Sequence, residues 1–228
     1  GPLLDRRSVL AGALITTAAL TKAASAATNQ VALGLQMFTL ADEMRHGIAH
    51  AIRTAARLGF RTVELIGNAA SGPETARALR EHGLVAPSVH FPPFPIEPGQ
   101  LNLSTEIPAV IDFCQRTGAR AVVVPGPPLP ARLLCSAMRG GLAGIETAMF
   151  SMNVEEWVEV AEWLNCTGKQ LSAHGISLVY HNHRAEFASG GNGSHYDRLI
   201  RNTDPNHVRF ELDCGWAALG GGDPAAIL

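Results

Sequence analysis

From residue 31 onward the chain alternates short apolar runs with amphipathic segments, and that rhythm constrains the fold more than any other feature. The strand-like runs are "VALGLQMF" (31–38), "RTVELIG" (61–67), "LVAPSVHF" (84–91), "RAVVVPG" (120–126), "ISLVYHNH" (176–183) and "VRFELDCGW" (208–216). Between them lie segments of helical period. One places Ile48, Ile52, Ala55 and Ala56 on one face and is stopped by Gly59. Another, "GPETARALREHG" (72–83), has Pro73 near its first turn, and a third runs around "IPAVIDFCQRTGA". The longest, 153–175, opens with Asn153 and Glu156 at capping-box spacing and buries a stripe of Trp157, Ala161, Leu164, Gly168 and Leu171. "SHYDRLIRNT" reads as a short helix, and "GGDPAAIL" as the start of one more. Residues 127–150, with three prolines at the front, read as a long irregular connection of the kind that lies over a functional face.

Strands alternating with helices imply βαβ units and a parallel sheet. The sheet either closes into a (β/α)8 barrel or stays open and doubly wound. No Gly-x-Gly-x-x-Gly opens a helix and no P-loop is present, which removes the usual nucleotide-binding reason for the open sheet. Polar residues gather instead at the C-terminal ends of several runs: Gln36, Glu64, His90, His181 with His183, and Asp213. A barrel needs that distribution, because its active site is assembled from many strand ends around one mouth. The α/β reading is therefore a (β/α)8 TIM barrel whose pattern stops after six β/α units, spanning residues 28–228.

"YHNHRAEF" (180–187) carries the densest chemistry. Alternation along a strand puts His181 and His183 on one side and Asn182 on the other. Two imidazoles, with Glu186 just beyond, can supply a divalent cation with nitrogen and oxygen ligands; alternatively one histidine serves as a general base, or both bond within the loop. Asp213 ends an apolar strand, where a carboxylate needs a compensating charge, either a cation or an arginine such as Arg184. Glu211 shares its side and either lines the mouth or forms a deeper structural pair. Glu64 fits a catalytic acid/base or a sugar-hydroxyl contact, and equally a buried ion pair. His90, Gln36 and Trp216 are candidates for substrate contact, Trp216 by stacking on a sugar ring.

The remaining features bound the class. A hydrophobic content of 46% supports one sizeable core, and a formal net charge of −2 gives no electrostatic footprint for nucleic acid. The four cysteines, Cys114, Cys135, Cys166 and Cys214, lack CxxC or Cys/His zinc spacing. Residues 1–27 have a basic start, an apolar stretch "AGALITTAAL" and a small-residue cleavage pattern ending in Ala24-Ser25-Ala26. Arg6-Arg7 before Ser8, Val9 and Leu10 makes this segment resemble a twin-arginine export signal, so a periplasmic or otherwise exported mature protein is expected, with no stable membrane span once the signal is removed.

The segments "GLQMFTLADEM", "AARLGFRTVELIG", "PSVHF", "GISLVYHNHRAEF" and "VRFELDCGWAALGGGDPAAIL" together resemble the xylose isomerase-like TIM barrel superfamily, in its sugar phosphate isomerase/epimerase group and the branch with YHNHxxEF and ELDxGW. The resemblance covers essentially everything after the signal. It implies a divalent metal (Mn, Zn, Co or Mg) at the C-terminal mouth, with acid/base residues moving a proton next to a carbonyl of a sugar or keto-sugar. On that pattern Asp213 is a metal ligand; where many relatives have glutamate on the fifth strand, this chain has His181, and either His181 or Glu186 ligates. His183 and Glu64 become the catalytic pair, with His90, Trp216 and Gln36 toward the substrate. An isomerase or epimerase is the leading expectation. The alternatives are a metal-dependent keto-sugar lyase or dehydratase on the same site, and a non-catalytic sugar-binding or truncated inactive barrel. Endonuclease activity fits poorly, since Asp213-Cys214-Gly215-Trp216 stands where those relatives have DxxH. An exported enzyme meets few sugar phosphates, so an unphosphorylated substrate is expected. Association into a homo-oligomer stays open.

Overall fold

A computed structural model describes residues 33–68, 71–97, 100–188 and 193–228. The export-signal reading of residues 1–27 lies outside them. Six parallel strands form one sheet: β1 (Gly34–Gln36), β2 (Thr62–Ile66), β3 (Val85–His90), β4 (Ala121–Pro125), β5 (Ser177–His181) and β6 (Val208–Glu211). They pair in sequence order, each with the next. A doubly wound sheet reverses direction at a switch point, and this one does not, so the order is that of a barrel wall. Among the described residues β1 and β6 are each paired on one side only.

The helices return the chain from each strand to the next. They are α1 (Ala41–Met44), α2 (Ile48–Arg57), α3 (Gly72–His82), α4 (Ile107–Thr117), α5 (Ala131–Arg139), α6 (Gly141–Phe150), α7 (Val154–Ser172), α8 (His195–Asn202), α9 (Cys214–Leu219) and α10 (Pro224–Ile227). The expected capping box is present: Asn153 accepts from the Glu156 backbone N–H, and the Glu156 carboxylate accepts from the Asn153 N–H. A second box joins Ser194 and Asp197 at the start of α8.

Residues 127–150 are not the irregular connection that the sequence suggested. Pro130 opens α5, and the Gly140-Gly141 corner turns it into α6. The prolines and the glycine pair break the periodic pattern into two pieces too short to read as helices from sequence alone. Likewise β6 is shorter than the 208–216 run, because Asp213 leaves the strand to cap α9.

Side-chain alternation sorts the sheet into two faces. Val63, Leu65, Val89, Val122, Val124, Leu178 and Tyr180 are buried against Ile52, Leu79, Phe113, Trp157 and Leu164 of the helices. Each such aliphatic side chain contributes about 1.5–3 kcal/mol on burial, so this helix–sheet layer is the core. The opposite face carries Glu64, Ile66, Val179, His181 and Glu211, which stay partly exposed. The polar strand ends therefore share one face and open toward the C-terminal mouth.

Candidate metal centre

Strand register brings the polar residues together. Ile66 lies beside His90, His90 beside Val123, and His181 beside Glu211. Across the mouth, His90 Nε2 is 2.7 Å from a Glu64 oxygen and 3.8 Å from Glu211, while His181 Nδ1 is 2.8 Å from Glu211. The His90 and His181 rings meet edge-on at 5.2 Å. One ligand atom from each of His90, His181 and Glu211 falls within 4.8 Å of the other two, an arrangement that could hold a metal ion. Asp213 Oδ2 is 3.9 Å from His181 Nε2, at the edge of this group.

The electrostatics follow from this crowding. Burial alone would push His90 down, but Glu211 and Glu64 together outweigh it and raise it to about 9. Burial would push Glu211 up, yet His181, His90 and Glu64 hold it far below the usual carboxylate range. His183 is lowered to about 4, first by burial and then by the charge of His181.

The group passes a test of fit to a divalent cation. Two imidazoles and a carboxylate are a donor set suited to zinc, manganese or cobalt. His90 Nε2 is buried and, despite the carboxylate 2.7 Å away, has no acceptor placed along its N–H direction. With Glu64 at 2.7 Å and Glu211 at 3.8 Å, a cation held there would meet imidazole and carboxylate donors together.

Several expected residues take other positions. Glu186, expected near the metal, is fully buried on the helix side of the sheet, where it accepts from the Tyr180 hydroxyl at 2.8 Å and the His183 backbone N–H at 3.0 Å. The one-turn helix Ala185–Phe187 carries its side chain back under β5 instead of over the mouth. Gln36 accepts from the Phe38 backbone N–H and caps the turn after β1. Glu64 is fixed between His90 and the Ser88 hydroxyl, which donates to it at 2.6 Å, so it orients His90. His90, expected to touch substrate, lies with His181 and Glu211 in the group that could hold a metal ion. Asp213 has one oxygen accepting from the Trp216 N–H at the start of α9. Trp216 packs 5.4 Å from the His183 ring.

Two contributors were underweighted by the sequence. Glu211 stands with His90 and His181 in the group that could hold a metal, and its signal is its position two residues before Asp213. Asn182 is fully buried and exchanges two hydrogen bonds with the Asp213 backbone, at 2.9 and 3.1 Å. Its amide continues the β5–β6 ladder past the last paired residues and holds Asp213 in register. An asparagine between two histidines gives no sequence hint of that role.

Residues 52–227 match the xylose isomerase-like TIM barrel family, and the chain belongs to it. Among curated relatives, inosose dehydratase of Salmonella typhimurium is 28% identical over 184 residues, 76% of this chain and 56% of that protein. Inosose dehydratase of Lactiplantibacillus plantarum is 36% identical over 74 residues, 32% of this chain and 24% of its own length. The chain thus spans about half or less of the curated relatives it matches. A sugar phosphate isomerase/epimerase structure from Parabacteroides distasonis aligns with a TM-score of 0.60 at 22% identity, covering 89% of this chain and 74% of that one. The IolI protein, solved with bound zinc, aligns with a TM-score of 0.53 at 12% identity, covering 85% and 66%. At those identities the two structures speak to the fold alone.

Proposed function

We propose that the protein is a divalent-metal-dependent enzyme that moves a proton on the carbon next to a carbonyl of an unphosphorylated sugar, keto-sugar or related polyol. The carrying observation is the convergence of His90, His181 and Glu211, with Glu64 and Asp213 beside them, at the mouth of a family barrel. His90, His181 and Glu211 would hold the cation, and Asp213 offers a further carboxylate oxygen. When bound, the cation would act as a Lewis acid on the carbonyl and its neighbouring hydroxyl. Glu64, itself fixed by the Ser88 hydroxyl, holds the His90 ring in place. His183, neutral at ordinary pH, offers its ring to a substrate oxygen as a hydrogen-bond partner, and Trp216 supplies an apolar wall at the rim.

Isomerisation or epimerisation is the first reading: the abstracted proton returns to carbon. Dehydration is the second, and the curated relatives, named inosose dehydratases, favour it. Both begin with the same proton abstraction and differ in whether a hydroxyl then leaves. Incubation of the metal-loaded protein with an inosose and with common ketoses in deuterated buffer tests both. Deuterium incorporation with retained mass formula supports the first, and loss of water to an unsaturated ketone supports the second. Neither outcome with any of these substrates would reject the enzymatic reading in favour of a sugar-binding barrel. Export through the twin-arginine route is part of the proposal and rests on Arg6-Arg7; Lys replacement of both arginines should abolish export of a folded reporter fused after residue 27.

A further inference from the structure

The hairpin of α5 and α6 lies between β4 and α7, and its docking has an unusual basis. Across both helices only Ala137, Ala148 and Met149 are buried, with Leu133, Leu134 and Ile145 partly packed on the core. Leu142 and Phe150 remain exposed. The two helices cross at close range: a Cβ on Gly144 would come 2.4 Å from the Ala137 carbonyl oxygen, so the hairpin behaves as one compact piece. So little apolar burial places such a piece at the low-stability end of a fold, where a few polar contacts decide whether it stays down.

Two arginines supply those contacts. Arg132 reaches the Glu156 carboxylate with two nitrogens, both at 2.7 Å, and the Ser151 carbonyl at 2.9 Å. That clamp is local, tying the hairpin to the start of the next helix. Arg184 is different. It follows His183 at the exit of β5, donates from Nε and from a terminal nitrogen to both oxygens of Glu146 on α6, and places its guanidinium 5.3 Å from the Phe150 ring centroid. The pair joins sites 38 residues apart in sequence. On the inner side of this contact, Met149 Sδ and His183 Nδ1 both lie 3.8 Å from where a Cβ on Gly126 would be, so the hairpin and the end of β5 flank the same glycine. His183 Nδ1 is buried there without a hydrogen-bond partner.

We propose that Arg184 is a positioning residue: through its bidentate pair with Glu146 it holds the α5–α6 hairpin against the exit of β5, and so steadies the segment that carries His183 at the mouth. The inference rests on the reading of that mouth as the active site. Loss of the pair loosens the hairpin beside His183 without removing any of His90, His181 or Glu211.

The test uses the full chain with Arg184→Gln, Glu146→Gln and the swap Arg184→Glu/Glu146→Arg. Each single variant should speed amide exchange over 141–150 about five-fold, in keeping with loss of a bidentate charge pair, while α7 exchanges as before. The swap should recover most of that protection. Titration with zinc alone should change by less than the ~10-fold expected of a ligand's outer-shell partner. With an inosose as probe, KM should rise more than kcat falls in the single variants. Unchanged exchange over 141–150 in both single variants overturns the proposal, as does a matching rise across α7. Absence of turnover by the parent protein would instead reject the proposed function, with the exchange data still deciding the latch.

Discussion

Glu186 provides the sharpest test of how the turn after β5 is built. Its carboxyl is fully buried, one oxygen accepting from Tyr180 and from the His183 backbone, the other without a partner. Burial pushes this acid upward, and the two accepted hydrogen bonds and the nearby His181 only partly oppose it. Replacement by alanine strands two buried donors, the Tyr180 hydroxyl and the His183 N–H. At about 1–3 kcal/mol for each unsatisfied group, Glu186→Ala should cost about 2–6 kcal/mol. Glu186→Gln keeps an acceptor oxygen for both donors and removes the ionisable group. The sign of the pH effect follows from the raised folded-state value. Its stabilising contribution is full below the unfolded carboxylate value of about 4.3, and it is lost as pH rises through the folded value. The glutamine variant escapes that loss, so its stability relative to the parent should improve from acid toward neutral pH. Urea unfolding followed by circular dichroism at several pH values measures this, with metal content by elemental analysis alongside. A glutamine variant that loses stability toward neutral pH would refute a buried, proton-retaining acid. One that loses its metal would place Glu186 in the ligand group after all.

Three further outcomes are expected. Glu211→Gln should weaken zinc binding by at least ~100-fold in calorimetric titration while the circular dichroism spectrum stays unchanged, because Glu211 is partly exposed and outside the helix–sheet core. Leu164→Ala, at a fully buried position on α7, should cost about 2–5 kcal/mol in chemical unfolding. Asn153→Ala removes one half of the capping box on α7 and should cost about 1 kcal/mol by the same measurement, with no change in metal content.

The fold was legible because hydrophobic period and strand-end polarity agree along most of the chain. The runs containing Glu64, His90 and His181 are strands, as their pattern predicts, and the Asn153–Glu156 box announces the longest helix. The α5–α6 hairpin was missed where Pro127, Pro128, Pro130, Gly140 and Gly141 interrupt the period, since two helices of nine and ten residues leave too few turns for a stripe to emerge. At the site, sequence alone found the strand ends but could not rank the residues on them. Whether a carboxylate meets its neighbour depends on register and on the direction the chain takes next, and neither is local.

Glu186 and Glu211 make the point together. Glu186 follows the histidine pair closely and reads as a ligand, but the one-turn helix Ala185–Phe187 reverses its side chain into the core beneath Tyr180. Glu211 reads as a deeper residue of an apolar strand, yet β5–β6 pairing sets it directly against His181. Asn182 is what makes the difference stable. By extending the ladder one step beyond that pair, it fixes the height of Asp213, lets the chain turn into α9, and leaves Glu211 on the mouth face with His90 and His181. Asn182→Ala would then take the side-chain acceptor from the Asp213 N–H, and the resulting slip should weaken zinc binding at His90, His181 and Glu211 in calorimetric titration.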